Sequence, residues 1–327
     1  MNGKKSLVNA LRQVLRDPLR VSFDLFKIMV PVIIVVKILQ EFDLIRYLAI
    51  PLGPVMKFVG LPAEMGFVWA TAMVNNIYGS IIVLLSLVKD TPITTAQATV
   101  LCTMILVAHT LPIELKIAQK SGPHMMFQAI SRLGSALFLG WLLYIIYSHF
   151  GLLQEPAKII LTPDTKGPIQ NDSLLSWVTG EAQKLFFIFL IILGLFLLMR
   201  VLEKLKIVDV MNRVLRPVLK VMGIGPKAST ITIIGNTLGI SYGGGLIIHE
   251  ARSGHIDKKD VFYSLTLMGL SHSLFEDTLL MVMIGGHLSG VLWARVAFSF
   301  FAVTLLVKVS SRLPQAMCDR FLWGDPK

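Results

Sequence analysis

The run FFIFLIILGLFLLM at Phe186–Met199 contains no charged residue and lies inside a longer apolar segment from Leu185 to Leu202. A helix of roughly 20 such residues crosses the ~30 Å hydrocarbon core of a bilayer. Only 16% of the 327 residues are charged, against about 25% in soluble domains, and the mean hydropathy is +0.70. The sequence therefore excludes a soluble enzyme, a disordered protein and a secreted disulfide scaffold, and it predicts an all-α polytopic membrane protein.

Apolar segments of this kind recur along the whole chain. They fall near 23–42, 66–88, 94–113, 127–148, 184–202, 228–249, 261–284 and 291–309. Two further stretches, 44–60 and 207–223, mix aliphatic with basic residues, which favours helices lying in the membrane interface. We therefore expect about eight hydrophobic segments plus interfacial amphipathic helices.

Cysteine content and net charge limit the partners of the chain. Cys102 and Cys318 provide neither a disulfide framework nor a metal-ligand pattern, and we predict no cofactor and no metal ligands. The formal net charge of +11 fits cytoplasmic loops enriched in Lys and Arg, so no nucleic-acid partner is expected. The sequence has no GxxxxGK[ST] phosphate loop, which leaves ATP or GTP drive within this chain unsupported.

Three motifs recur in the same order on the two sides of the polar stretch 151–183, which indicates an internal duplication. The matched segments are Pro54–Gly60 with Pro217–Gly223, Asn76–Ser80 with Gly239–Gly244 after one inserted residue, and His109–Glu114 with His272–Asp277. The first and third pairs are 163 positions apart, as are His109 and His272.

The distribution of charge orients the two halves. Residues 1–20 and 200–227 are rich in Lys and Arg, whereas 151–183 carries more acidic than basic residues, so the first two should be cytoplasmic and the third extracytoplasmic. The predicted organisation is a cytoplasmic basic amphipathic helix 1–20, a first transmembrane repeat 21–150, an extracytoplasmic linker 151–183, a second repeat 184–310 and a cytoplasmic tail 311–327. Each half then crosses the membrane an odd number of times, so the repeats are inverted.

Segments 66–88 and 228–249 contain polar residues and glycines that an ordinary span would lack, and we expect them to be broken or re-entrant helices. Such groups are tolerated at membrane depth where they face a cavity or a ligand. The predicted substrate-binding residues are Asn75, Asn76, Tyr78, Asn236, Thr237, Ser241 and Tyr242. Alternatively, the small residues only let helices pack closely.

Ionisable residues recur in the third motif of each half. We predict a role in ion or proton coupling for His109, Glu114, His272, Glu276 and Asp277, because charges at membrane depth usually face a pathway or a partner. On a continuous helix His272 and Glu276 would share a face. Alternatively, they form a structural His–carboxylate pair that joins the halves. We assign no catalytic residue, since no HExxH zinc motif is present.

The Pro-Val-x-Lys-x-x-Gly helix, the Gly-rich segment Gly235–Gly245 and the His272–Asp277 segment resemble the gate-domain, or nucleoside recognition, family of bacterial membrane proteins. Its members include spore maturation proteins A and B and the gate regions of the ferrous-iron permease. The resemblance spans most of both halves and implies two fused gate units in the bacterial inner (plasma) membrane, with both termini cytoplasmic. It also implies kinship with concentrative nucleoside transporters. This chain departs from the iron permease in lacking a GTPase domain and a multi-cysteine path.

The expected function is therefore that of a transporter rather than an enzyme. It would move a small polar, nucleoside-like solute or an ion, coupled to H⁺ or Na⁺, and its partners would be the lipid bilayer and that substrate. A homo-oligomer is compatible with the sequence. Three alternatives stay open: a non-transporting membrane scaffold in envelope or spore-like assembly, a divalent-metal permease, and an intramembrane hydrolase using His272 and Glu276 with a metal.

Overall fold

The computed structural model gives the fold of most of the chain. The described residues are 26–27, 30–31, 33–39, 41–42, 44, 47, 50–160, 174–225, 228, 232, 235, 240, 244–245 and 247–326. The predicted amphipathic helix 1–20 lies outside them, as do residues 161–173 of the predicted linker.

Every regular element among the described residues is a helix. After a 3₁₀ turn at Ile50–Leu52, the α-helices are α1 (Gly53–Phe58), α2 (Met65–Val74), α3 (Ile77–Leu87), α4 (Thr95–Val107), α5 (Leu111–Lys120), α6 (Met125–His149), α7 (Leu174–Lys204), α8 (Ile207–Val221), α9 (Lys258–Ser271), α10 (Glu276–Met283), α11 (Arg295–Ser310) and α12 (Gln315–Phe321). A π-helical turn, Ser289–Ala294, leads directly into α11.

Within the described residues, three stretches are long and apolar enough to cross a membrane: Thr95–Lys120, Met125–His149 and Ser289–Ser310. Helices α2 and α3 are apolar but shorter. The all-helical fold and the apolar helices agree with the predicted class of membrane protein. The count of about eight segments and the inverted repeats stay predictions.

Two helices, α4 and α9, form the centre of the bundle. In the stretch Thr95–Lys120, which contains α4, 83% of the most apolar part is buried. Every residue of α9 from Asp260 to Ser271 is buried as well. A helix that is apolar on all sides is stable only when other helices surround it. Helix α6 packs on α4 and α11 packs on α9, and both outer helices leave large apolar side chains such as Phe138 and Phe301 exposed.

The central helices end at breaks that the sequence did not predict. The apolar segment 94–113 is divided, because α4 ends at Val107 and α5 begins at Leu111. The apolar segment 261–284 is divided as well, because α9 ends at Ser271 and α10 begins at Glu276. Thr110 (φ 50°) and Ser273 (φ 48°) turn the chain at these breaks, and both have the left-handed backbone conformation. A right-handed α-helix cannot continue through such a residue.

Left-handed residues recur at one spacing. Thr110 and Ser273 are separated by 163 positions, the interval that also separates His109 from His272. The left-handed glycines Gly60 and Gly223 have the same separation. Helices α4 and α9 likewise begin 163 positions apart. The two halves therefore turn and start helices at corresponding places.

The predicted break in segment 66–88 lies between α2 and α3. Asn75 is the first residue after α2, and Asn76, with extended backbone, caps α3 by accepting a hydrogen bond from Gly79 N at 2.8 Å. The partner segment 228–249 is described only in part, so its predicted break lies mostly outside the described residues.

The amphipathic stretch 207–223 is helix α8, which buries Leu215 and Leu219 and exposes Val214 and Val221. Helix α7 begins at Leu174, so the end of the predicted linker is helical. The start of the linker covers the first turn of α4, where Thr95 N donates to Glu155 O at 2.8 Å. Unbonded N–H groups at a helix start need such acceptors.

Candidate functional site

The breaks of the two central helices bring ionisable side chains from both halves into contact. His109 follows α4 and His272 follows α9, while Glu114 lies in the first turns of α5 and Asp277 in the first turn of α10. All four residues are buried. We refer to His109, Glu114, His272 and Asp277 as the central cluster.

The polar atoms of the central cluster converge on one small space. His109 Nε2 lies 3.2 Å from His272 Nε2. Glu114 Oε1 lies 3.4 Å from His272 Nε2 and 3.8 Å from His109 Nε2. Asp277 Oδ2 lies 3.9 Å from His109 Nε2. The two imidazole rings are tilted by 39°, with centroids 4.9 Å apart.

Backbone carbonyls fix the protonation of the outer ring nitrogens. His109 Nδ1 is 3.0 Å from Ile105 O, and His272 Nδ1 is 2.7 Å from Met268 O. A carbonyl oxygen can only accept a hydrogen bond, so each Nδ1 carries the proton and donates it. In a neutral imidazole the other nitrogen, Nε2, then presents a lone pair. The central cluster therefore directs two nitrogen lone pairs and a Glu114 oxygen at one another, an arrangement that a cation between them would stabilise.

Arg132 holds the first break in place. Its Nη1 donates to Glu114 Oε2 at 2.5 Å, its Nε to Val107 O at 2.9 Å and its Nη2 to His109 O at 3.0 Å. The carbonyls at the end of a helix lack partners within that helix, and Arg132 supplies donors to two of them in this region. A Cβ at Gly269 of α9 would lie 3.3 Å from Arg132 Cδ, so the glycine leaves room for the arginine.

Arg132 and Glu114 have counterparts in the second half, because Arg295 and Asp277 lie 163 positions after them. The arginine and carboxylate of the second half are nevertheless held differently. Arg295 is fully buried, and its Nη2 donates to Thr278 Oγ1 at 3.4 Å. Its Nε and Nη1 have no hydrogen-bond partner among the described residues. The carboxylate of the first half is thus clamped by an arginine, and that of the second half is not.

Among the predicted substrate-binding residues that the structure describes, Tyr78 contacts an ionisable side chain. Its hydroxyl donates to Glu276 Oε1 at 3.1 Å, which ties α3 to the start of α10. Asn76 instead uses its side chain to cap α3, and Asn75 follows the end of α2. Asn236, Thr237, Ser241 and Tyr242 lie outside the described residues.

The structure therefore groups the residues predicted for ion or proton coupling, although not by the predicted route. His272 and Glu276 do not share a helix face, because the chain leaves α9 at His272 and enters α10 only at Glu276. The substrate-binding and coupling roles stay predictions. Arg132 and Arg295 were not among the predicted residues. Their separation of 163 positions, the same as that of the two histidines, was the signal in the sequence that could have identified them.

Comparisons with known proteins support the class of membrane protein. No family model matches the chain, and no solved structure matches it. The chain is similar to the uncharacterized membrane protein YvoD of Bacillus subtilis (strain 168), with 23% identity over 281 residues that cover 84% of this chain and 86% of YvoD. The similarity to a membrane protein and the apolar helices together indicate a membrane location.

Proposed function

We propose that this protein is a multi-pass membrane permease of the gate type, built from two inverted repeats that each contribute half of a central cation site. The observation that carries the proposal is the 3.2 Å approach of His109 Nε2 to His272 Nε2, with Glu114 Oε1 beside both. Ionisable groups are expensive within a bilayer and usually mark an ion pathway or a proton relay.

The repeats are supported by spacing in both the sequence and the backbone. The left-handed residues Thr110 and Ser273, the histidines before them and the carboxylates after them all correspond at 163 positions. Broken helices from two inverted repeats that meet at a polar site are the usual architecture of secondary transporters. Residues 1–20 and 200–227 are rich in Lys and Arg, whereas 151–183 has more acidic than basic residues. This difference supports the inverted orientation, with both termini in the cytoplasm.

The size of the central cluster favours an ion over a nucleoside as the species bound there. The two Nε2 atoms and Glu114 Oε1 lie 3.2–3.8 Å from one another, a space that suits a single ion. The lone pairs directed into that space favour a cation. A membrane scaffold would need no such convergence of unshared lone pairs at the meeting point of two broken helices.

Transport by reconstituted protein tests the proposal. The full-length chain is placed in liposomes, and the entry of protons, Na⁺, Mn²⁺, Co²⁺ and uridine is followed separately. We expect a cation flux in the wild type that His272→Gln and Asp277→Asn abolish. The matched controls are His255→Gln and Asp257→Asn, whose side chains are exposed, and they should transport normally.

The result that contradicts the proposal is equally specific. If folded wild-type protein carries none of the cations, or if both cluster variants carry them at the wild-type rate, the central cluster is not part of a permeation pathway. Absence of any flux would favour the scaffold. Entry of uridine that is insensitive to His272→Gln would place a solute pathway elsewhere in the chain.

A further inference from the structure

We infer that His109, Glu114 and His272 form a three-ligand site for a divalent transition-metal ion, with Asp277 beside it, and that such an ion is the cargo. The assignment as cargo rests on the proposed permease function, whereas the binding site rests on the geometry of the central cluster alone. The three residues His109, Glu114 and His272 each offer a ligand atom, and these atoms lie within 4.8 Å of one another.

The distances between ligand atoms match those around a four-coordinate metal. Zinc binds imidazole nitrogen at about 2.0–2.1 Å and carboxylate oxygen at about 2.0–2.2 Å, so two tetrahedral ligands lie about 3.3–3.4 Å apart. The two Nε2 atoms are separated by 3.2 Å, and Glu114 Oε1 is 3.4 Å from one and 3.8 Å from the other. These three atoms therefore need shifts of only a few tenths of an ångström to surround one ion.

Asp277 lies beside the three ligands and would supply a fourth only after a shift toward them. Its Oδ2 lies 3.9 Å from His109 Nε2, and it is the counterpart of Glu114 in the second half, 163 positions later. With Asp277 shifted inward, the ligand set would contain one histidine and one carboxylate from each half. Motion of one half relative to the other would separate the two pairs and release the ion.

Contacts outside the ligand set orient each ligand as in known metal sites. Metal-binding histidines usually donate the second ring N–H to a carbonyl or carboxylate, and binding carboxylates are themselves hydrogen-bonded. Ile105 O and Met268 O accept from the two Nδ1 atoms. Arg132 binds Glu114 Oε2 and leaves Oε1 directed at the histidines.

The donor types select the class of ion. Imidazole suits zinc, iron, nickel and copper, whereas Mg²⁺ and Ca²⁺ prefer sites made of oxygen alone. A proton shared between His109 and His272 would join the two Nε2 atoms and give the pair a positive charge that the Glu114 carboxylate stabilises. A metal ion would use the same three side chains as ligands, and the cobalt titration distinguishes the two.

Cobalt is the probe, because tetrahedral Co²⁺ absorbs visible light far more strongly than hydrated Co²⁺. The full-length protein is purified in detergent, stripped with a chelator and titrated with Co²⁺. We expect one ion per chain with intense visible bands, which Zn²⁺ removes and Mg²⁺ or Na⁺ does not. His272→Gln and Glu114→Gln should each raise the Kd at least about tenfold, while the exposed control His255→Gln leaves it unchanged.

A variant that gains an absorption band shows that the protein is folded and still binds the metal, which a loss of binding alone does not. In His272→Cys the thiolate replaces the imidazole as a ligand, and bound Co²⁺ should show a near-ultraviolet thiolate charge-transfer band. The wild type and a His255→Cys control should lack this band. Weak, octahedral Co²⁺ spectra in the wild type, or equal Kd values in wild type and His272→Gln, would overturn the metal site.

Flux measurements separate failure of this inference from failure of the proposed function. Uptake of Co²⁺ or Zn²⁺ into liposomes, lost in His272→Gln, supports metal as cargo. Proton or Na⁺ flux that depends on His272, without Co²⁺ binding, leaves the permease intact and overturns the metal inference. Tight Co²⁺ binding without flux of any cation overturns both the cargo assignment and the permease.

Discussion

Arg132 and Glu114 form a buried ion pair in which Nη1 donates to Oε2 at 2.5 Å, and the same arginine donates to the carbonyls of Val107 and His109. One side chain thus joins the end of α4 to the start of α5 across the break. In the second half, Arg295 has two nitrogens without a hydrogen-bond partner among the described residues. The two halves share a framework but differ in how tightly their breaks are held.

Replacing these arginines should therefore have unequal effects on stability. Arg132→Met removes the arginine of a buried ion pair and should lower the free energy of unfolding by about 3–5 kcal/mol. Arg295→Met removes a side chain that makes one long hydrogen bond, so its loss should be smaller. Thermal unfolding of both variants in the same detergent measures the difference.

A double variant checks the cause of the Arg132 effect. In Arg132→Met/Glu114→Gln the buried carboxylate charge is gone as well, so part of the lost stability should return. Equal losses for Arg132→Met and Arg295→Met, or no recovery in the double variant, would show that the ion pair does not hold the break.

Tyr78→Phe tests the contact between α3 and α10. The variant removes the hydrogen bond to Glu276 Oε1 and keeps the ring, so the free energy of unfolding should fall by about 1.5–3 kcal/mol if Glu276 is ionised and by about 1 kcal/mol if it is protonated. The control Tyr47→Phe changes a side chain that is 65% exposed and should be neutral. A Tyr78→Phe variant as stable as the control would mean that the contact contributes nothing.

Periodicity and composition predicted the helical membrane class and the break at Asn75–Asn76. They also identified ionisable residues that meet in the structure. They were insufficient for the breaks at Thr110 and Ser273. Neither residue type signals a left-handed turn as glycine does, and both lie inside stretches whose mean composition is apolar. The break depends instead on tertiary contacts, among them the hydrogen bond from Thr110 N to Ala72 O of α2 at 2.9 Å.

The composition of the central cluster also depended on tertiary structure. His109 and His272 are separated by 163 positions, and no local sequence pattern predicts that their Nε2 atoms come into contact. The role of Arg132 was hidden for the same reason, since an arginine in an outer helix ordinarily extends to the membrane interface. Here it points inward, because Glu114 and two helix-end carbonyls accept its hydrogen bonds.

Two glycines should respond in opposite directions to alanine. Gly60 has φ +72°, and a Cβ there would lie 2.1 Å from the Tyr144 ring, so Gly60→Ala should destabilise the protein by more than 1 kcal/mol. Gly134 lies inside α6, and a Cβ there would meet nothing within 4 Å. Gly134→Ala should therefore stabilise by about 0.5–1 kcal/mol. Thermal unfolding that moves both variants in one direction would contradict the backbone geometry at Gly60.

Metal binding at the central cluster should weaken as the pH falls. Histidine binds metal through a deprotonated nitrogen, so protons compete with the ion for the two Nε2 atoms. Each Nδ1 already donates to a backbone carbonyl, so a further proton and Co²⁺ compete for the Nε2 atoms. The Kd for Co²⁺ should therefore rise as the pH falls, by up to about tenfold per pH unit for each proton displaced, as measured by titrations at about pH 7, 6 and 5. His255→Gln should keep this pH dependence, and His272→Gln should weaken it because one competing imidazole is gone. An equal pH dependence in the wild type and in His272→Gln would mean that His272 does not take part in binding the ion.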